Sequence, residues 1–122
     1  MTDSTIAAIA SPPGTGAVSL LRISGPKACA VVAKVFRGRS QENWIPRTQH
    51  FGEVVDADGG KVDEVLLTWF PGPCSFTGED VIELGCHGGV IVTRQVLEAI
   101  LCAGAELSLI HISEPTRPAL IA

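Results

Sequence analysis

Apolar residues along the first third of the chain follow two spacings, which predict two strands and then a helix. Short apolar runs at residues 5–11 and 17–24 are bounded by proline and glycine, as strands often are. Residues 26–36 carry alanine and valine at helical spacing, which predicts an amphipathic helix ended by Gly38. The pattern therefore indicates a strand–strand–helix unit.

The next part of the chain predicts three more strands and a second helix. Apolar runs at 50–55 and 61–70 flank an Asp-Ala-Asp-Gly-Gly sequence, which is typical of a hairpin turn. Residues 80–86 alternate in part and predict another strand. A long helix then runs to a capping glycine, Gly104. The order ββαβββα predicts an α+β fold, with a mixed or antiparallel sheet and two main helices.

Composition narrows the classes of function. With 122 residues the chain fits one domain, and its net charge of −4 argues against a dedicated nucleic-acid binder. Six basic and two acidic residues give residues 1–50 a charge of +4, whereas two basic and ten acidic residues give 51–106 a charge of −8. Halves of unlike sign can pair within one molecule or with a second copy, or they can remain separate solvated faces.

Cysteine usage and the N-terminus bear on localisation. The four cysteines form no C-x-x-C pair, so they predict free thiols in a reducing compartment rather than a zinc ribbon. The chain starts without a basic segment ahead of its first apolar run, and that run is too short to be a signal peptide or a membrane span. The expectation is a cytoplasmic protein that makes no membrane contact.

Two stretches invite a chemical interpretation. The sequence at 12–16 resembles a phosphate-binding loop, but Ala17 stands where that loop needs its lysine, so a rigid connection is favoured. Cys86, His87, Gly88 and Gly89 join a strand to a helix and are candidates to line a site. Cys86 and His87 should point to opposite faces of the strand, so they predict no catalytic dyad, and a packed cysteine beside a helix-start histidine remains the alternative. Neither a metal site nor a catalytic residue is predicted.

Four phrases, in order, carry a resemblance to a known family. They are Ile-Ala-Ala-Ile-Ala-Ser-Pro-Pro-Gly at 6–14, Leu-Arg-Ile-Ser-Gly at 21–25, Pro-Gly-Pro with Ser-Phe-Thr-Gly-Glu-Asp within 71–80, and Cys-His-Gly-Gly at 86–89. Together they resemble the N-terminal domain of the MnmE (TrmE) family of tRNA-modification GTPases. Thr15 and Cys74 depart from that pattern, because the family usually has a basic residue and often an asparagine there.

The resemblance implies a fold similar to the tetrahydrofolate-binding fold of aminomethyltransferases, and a homodimer. It also implies a bound tetrahydrofolate derivative of the 5-formyl or 5,10-methylene type, with Arg22 and Glu83 as the folate-binding residues. A carboxylate can accept two hydrogen bonds from the amino-pyrimidine edge of a pterin, and an arginine can hold a carbonyl or acidic group. Without the resemblance, a salt bridge would explain Arg22 and a solvent-facing position would explain Glu83.

The family protein modifies the wobble uridine of tRNA to a 5-carboxymethylaminomethyl-type base, with the MnmG flavoprotein and tRNA as partners. Its GTPase domain, which takes GTP, magnesium and potassium, and its catalytic cysteine lie further along the chain than these residues. By this resemblance the 122 residues would not hydrolyse GTP themselves. The alternative from another class is a ligand-free protein-interaction domain whose acidic half docks on a basic partner.

The last sixteen residues depart from the family. After Glu106 the family continues with a Pro-Gly-Glu-Phe-Thr-like phrase, whereas residues 107–122 resemble the translation of a sequencing-library adapter. We therefore expect residues 1–106 to form the folate-binding and dimerisation domain, and residues 107–122 to be a non-native tail.

Overall fold

The computed structural model describes residues 4–10, 19–72, 79–87 and 89–107. The predicted order of strands and helices is confirmed, with two further strands of two residues each. The strands are β1 (Ile6–Ile9), β2 (Ser19–Ser24), β3 (Phe36–Arg37), β4 (Gln49–Val55), β5 (Lys61–Phe70), β6 (Val81–Cys86) and β7 (Glu106–Leu107), and the helices are α1 (Ala28–Val35) and α2 (Gly89–Cys102).

The described strands form one mixed sheet in the order β3-β4-β5-β6-β2-β1-β7. Neighbouring strands are antiparallel, except that β7 runs parallel to β1. β6 follows β5 in the chain but lies between β5 and β2, so it joins the N-terminal strands to the hairpin. This mixed sheet with two helices confirms the α+β prediction.

The core lies on one face of this sheet. Leu21 and Ile23 of β2 face Leu84 and Ile82 of β6, and all four side chains are fully buried. Both helices pack on this face, α1 mainly through its valines and α2 through apolar residues of its inner side. The principal buried helix residues are Val31, Val32, Val35, Val96, Leu97 and Ile100. Burial of these aliphatic groups is the main stabilising contribution to the fold.

The start of α1 is held by a residue from outside the connection between β2 and α1. The backbone N–H of Lys27 donates to the Thr5 hydroxyl at 2.9 Å, so the helix start is held by a side chain that precedes β1. Gly25 has φ +142°, and a Cβ there would lie 2.6 Å from the Thr5 Cα. Glycine is therefore required where these two segments touch.

The end of α1 differs from its prediction. The helix stops at Val35, and Phe36 adopts an extended backbone with φ −94° and ψ 127°. Phe36 is buried and packs edge-on against Trp44, with ring centroids 6.1 Å apart. The apolar helical spacing continued to Phe36 because that residue also faces the core, but as the start of β3.

The predicted turn and helix end are confirmed. Asp56 Oδ1 accepts hydrogen bonds from the N–H groups of Asp58 and Gly60, at 3.0 and 2.9 Å, which closes the β4–β5 hairpin. Gly104, with φ +131°, ends α2, since its N–H and that of Ala105 bond back to carbonyls of the last turn. Neither described helix has the length and hydropathy that crossing a bilayer requires.

Candidate functional site

The candidate residues lie on the face of the sheet that points away from the helices, which we call the open face. Arg22 of β2 and Glu83 of β6 are direct cross-strand partners there. Leu20 on β2 and Gly85 on β6 also point to the open face and are half-buried. The residues that separate them from Arg22 and Glu83 along each strand point to the core and are fully buried. Strand alternation therefore separates a core face from a face that is free to carry polar groups.

Arg22 and Glu83 form an ion pair in which two guanidinium nitrogens donate to the same carboxylate oxygen. Arg22 Nη2 and Nε donate to Glu83 Oε2 at 2.8 and 3.1 Å. The Glu83 side chain is 16% exposed and that of Arg22 39% exposed, so the carboxylate is the more enclosed partner. Within the described part of the chain, Glu83 Oε1 makes no hydrogen bond. The ion pair thus engages one carboxylate oxygen of Glu83, and the other oxygen can accept a hydrogen bond from a ligand.

A groove of about 260 Å³ runs along the open face beside Glu83. Its floor is Gly85, which lies between Leu20 on β2 and Leu66 on β5 in the strand register. A glycine between two leucines leaves room for a flat group over the backbone. The groove is lined by Leu20, Gln49, Leu66, Thr68, Glu83, Gly85 and His87.

His87 closes the end of the groove opposite Glu83 and is held at two points by β5. Its backbone N–H donates to Asp63 Oδ2 at 2.9 Å. Its ring Nδ1 lies 3.2 Å from the Glu64 carbonyl oxygen. A carbonyl oxygen only accepts, so Nδ1 is the donor in this contact.

The other residues of the Cys-His-Gly-Gly phrase are placed differently. Cys86 points to the core face, where it is fully buried against the core cluster, so it does not line the groove. Gly89 is exposed with φ +89° and begins α2. Gly88 lies outside the described residues, as do the phosphate-loop-like segment at 12–16 and the two family departures Thr15 and Cys74. Of this phrase, His87 is the residue placed at the groove.

The two buried thiols, Cys29 and Cys86, are unreactive near neutral pH. Burial, and secondarily the Asp63 charge, raises the pKa of Cys86 from 9.0 to about 12. Burial, and secondarily Asp80, raises the pKa of Cys29 to about 11. Neither thiol is a nucleophile near neutral pH, because reactivity requires the thiolate. In the described ranges no group of three histidine, cysteine or acidic side chains is arranged to hold a metal ion.

A larger cavity of about 510 Å³ lies at the other end of the hairpin, between its turn and α2, and it includes none of the predicted site residues. Acidic residues of the turn, Asp56 and Asp58, face it together with Lys61. Asp56 is already committed to closing the turn. We therefore take the smaller groove as the candidate site, because it is lined by the predicted residues Glu83 and His87.

Sequence reasoning missed five groove residues, namely Leu20, Gln49, Leu66, Thr68 and Gly85. They come from four strands, and all four strands were predicted without knowledge of which of them would be neighbours. The period of two in β5 could have placed Leu66 and Thr68 on one face. Only the observed register puts Thr68 opposite Glu83, and Gln49 opposite Thr68.

The structure is thus an α+β domain with an arginine–carboxylate pair beside a groove on one face of its sheet, and comparison with known proteins identifies its family. The sequence model of the family described as "GTP-binding protein TrmE N-terminus" matches residues 5–114. The chain belongs to this family. The match extends past Glu106 and includes Leu107, which pairs with Ala7 in the sheet.

Curated relatives agree with this assignment. Over 112 residues the chain is 45% identical to the tRNA modification GTPase MnmE of Heliobacterium modesticaldum, covering 88% of this chain and 24% of the relative. It is 48% identical over 109 residues to the MnmE of Clostridioides difficile, covering 87% and 24%. It is 44% identical over 104 residues to that of Acholeplasma laidlawii, covering 85% and 23%. The chain thus spans about a quarter of the length of these relatives.

Proposed function

We propose that this chain binds a tetrahydrofolate one-carbon carrier in the groove beside Glu83, as the N-terminal region of a GTPase that modifies the wobble uridine of tRNA. The observation that carries the proposal is the Arg22–Glu83 pair at the polar end of that groove. Family membership supports the tRNA-modification role, since the relatives are named as tRNA modification GTPases.

The groove suits the pteridine part of a folate. Glu83 Oε1 can accept from the amino-pyrimidine edge, and the flat ring can lie over Gly85 with Leu20 and Leu66 as apolar walls. A volume of about 260 Å³ takes a two-ring heterocycle, with the rest of the folate extending beyond the groove. The polar groups therefore fix orientation while the apolar walls contribute contact area.

Arg22 supports this site chiefly by positioning Glu83. Its two hydrogen bonds to Oε2 hold the carboxylate in one orientation beside the groove. An arginine that already holds the glutamate can also reach a carbonyl of the bound ligand, since the guanidinium has five donors. Loss of Arg22 should therefore weaken the site indirectly as well as directly.

The remaining parts of the proposal concern the whole protein and a second copy of the chain. The protein would dimerise through this domain, act on tRNA together with the MnmG flavoprotein, and take GTP, magnesium and potassium in its GTPase domain. Support for the dimer comes from family membership and from the opposite charges of residues 1–50 and 51–106.

Titration calorimetry with 5-formyltetrahydrofolate tests the site. Wild-type protein should bind, and Glu83→Gln should lose roughly tenfold or more in affinity, because one charged hydrogen-bonding partner is removed. Glu53→Gln is the matched control, since Glu53 is a half-exposed glutamate on β4, two strands away from β6 and outside the groove. Equal affinities in wild type and Glu83→Gln would remove Glu83 from the site. Absence of binding by the wild type would favour the protein-interaction alternative.

Sedimentation at low and high salt tests the dimer. If the halves of unlike charge meet across a two-fold axis, self-association should weaken as salt screens them. A dimer that does not respond to salt would point to an apolar interface instead. A monomer at every salt concentration would contradict the dimer for these residues.

A further inference from the structure

We propose that an exposed strip of basic residues along α1 and past β3 contacts the phosphate backbone of tRNA. Its members are Lys27, Lys34, Arg37 and Arg39, which we call the basic strip. This inference rests on the proposed function in one respect, namely that the whole protein acts on tRNA. It concerns a surface that shares no residue with the groove beside Glu83.

The basic strip gathers positive charge in a short stretch of the chain. Residues 26–41 contain four basic residues and no acidic residue, although the whole chain has a net charge of −4. All four basic residues are exposed. A polyanion responds to positive charge clustered at one surface, and the net charge of the chain limits the strip to a partial contact with the RNA.

The placement of the four residues suits an elongated partner. Lys27 and Lys34 are seven residues, or two helical turns, apart, so they lie on the same side of α1 with their backbones separated by about 10 Å. Ala30, between them, is also exposed, so this side of the helix faces solvent. Arg37 lies at the end of the helix, where its Nη1 donates to the Lys34 carbonyl at 3.2 Å. Arg39 follows just after β3.

The cations of the basic strip differ from other cations of the domain in being unneutralised. Arg22 pairs with Glu83, and Lys61 pairs with Glu53 and Glu64. Over residues 4–10, 19–72, 79–87 and 89–107, no ion pair includes a member of the basic strip. Its charges are therefore available to a partner.

Arg37 shows that the missing ion pairs do not result from a lack of nearby acidic residues. It is the cross-strand neighbour of Glu53, yet its guanidinium turns to the Lys34 carbonyl, and Glu53 lies near a lysine of β5 instead. Asp56 and Asp58 face Lys34 and Arg37 across a cavity of about 400 Å³, and no ion pair spans it. The side of α1 that faces away from this cavity is the one that we assign to the RNA.

The acidic half of a second copy of the chain is the competing partner, and its carboxylates are already engaged. Glu53 and Glu64 share Lys61, Asp56 closes the hairpin turn, and Asp63 accepts from the backbone N–H that follows β6. An RNA backbone instead carries a charge on every phosphate, and lysine or arginine contacts release its counterions. The relatives are named as tRNA modification GTPases, so tRNA is the polyanion that the proposed function supplies.

Fluorescence anisotropy of a labelled tRNA transcript, titrated with the full chain at increasing salt, tests the proposal. Wild type should bind weakly at about 50 mM salt and lose affinity as salt rises. Lys34→Gln/Arg37→Gln should bind roughly tenfold or more weakly at low salt. The slope of log affinity against log salt should flatten by about two, since two phosphate contacts are lost.

A second double variant and a matched control make the test specific. Lys27→Gln/Arg39→Gln should weaken binding in the same way, and neither of these side chains makes a hydrogen bond or ion pair within the described chain, so the fold should be unaffected. Lys61→Gln/Arg94→Gln removes the same charge from β5 and α2, outside the basic strip, and should change affinity much less. Thermal unfolding of each variant checks the fold.

The outcomes separate this inference from the folate site. A wild type that does not bind tRNA at low salt, or an equal loss of affinity in the control and in the strip variants, overturns the inference. Strip variants that keep their tRNA affinity but lose self-association assign the strip to a second copy of the chain, which also overturns it. Calorimetry with 5-formyltetrahydrofolate on the same proteins is independent, so either proposal can fail while the other stands.

Discussion

The two faces of the sheet are made by the same strands and have opposite characters. On the core face, Leu84 and its neighbours are fully buried beneath both helices. On the open face, one residue away in sequence, Glu83 and Gly85 line a groove with a charged pair at its end. Side chains that stabilise the fold and side chains available to a ligand therefore alternate along β6. Substitutions on one face should change stability, and substitutions on the other should change binding.

The largest expected effect is a difference in stability between alanine substitutions of two leucines, Leu84 on β6 and Leu66 on β5. Leu84→Ala should lower the free energy of unfolding by about 2–5 kcal/mol, because it leaves a cavity in the core. Leu66→Ala, on the open face, should lower it by only about 1 kcal/mol, since that side chain remains partly in contact with solvent. Urea unfolding of both variants measures this. Equal losses would contradict the division between the faces.

The next effect concerns alkaline pH and the core-face thiol Cys86. Its pKa is raised from 9.0 to about 12 in the folded state, so folding favours the neutral thiol. The unfolded chain ionises first, and this contribution to stability is complete below pH 9 and is lost as the pH rises from 9 toward 12. At pH 10 the wild type should have lost on the order of 1 kcal/mol of stability that a Cys86→Ala variant does not lose.

Measurement is by urea unfolding from pH 8 to 10 under reducing conditions, with the variant as reference. Cys29 contributes a pH-dependent loss of the same sign to both proteins, so the difference between them isolates Cys86. Parallel curves for wild type and Cys86→Ala would show that Cys86 is not shielded as its burial indicates.

A smaller effect on stability is expected for a substitution at Glu83, which lies beside the groove on the open face. Glu83→Gln should change the free energy of unfolding by less than about 1 kcal/mol, because ion pairs with a partner as exposed as Arg22 contribute little. The thermal midpoint should therefore stay close to that of the wild type while folate affinity falls. A large drop in the midpoint would mean that the pair stabilises the sheet, and that its loss of binding is secondary to unfolding.

The smallest expected effect is that of removing residues 107–122. Truncation removes the pairing of Leu107 with Ala7, whereas the Glu106 N–H still donates to the Thr5 carbonyl. We expect stability to change by less than about 1 kcal/mol between residues 1–106 and 1–122. A large drop in the thermal midpoint would show that these residues are part of the domain rather than a non-native tail.

The sequence was sufficient to predict the elements that depend on local pattern. The hairpin turn, the two helices and the five longer strands follow from apolar spacing and from glycine and aspartate at turns. The two short strands were missed for physical reasons. Phe36 fits the helical spacing of α1 yet leaves the helix, and β7 exists through pairing with β1, about a hundred residues earlier. Two-residue strands carry no period that a pattern can reveal.

The candidate site was predictable only in part. Arg22 and Glu83 were singled out by resemblance, and their direct pairing follows from a register that no local pattern specifies. The groove walls at Leu20 and Leu66 depend on β6 lying between β2 and β5. The orientation of the His87 ring depends on the Glu64 carbonyl, which is a backbone group and therefore cannot be read from side-chain identity.

The position of β6 between β5 and β2 also has a consequence for the order of folding. The β4–β5 hairpin joins strands that are close in the chain, so it can form early. The Arg22–Glu83 ion pair joins residues that are 61 positions apart in the chain. Because closing so large a loop is slow, this pair should form later than the hairpin. During synthesis on the ribosome, β2 therefore has no β6 partner until residues 81–86 have emerged. We expect the binding groove to be among the last parts of the domain to become native.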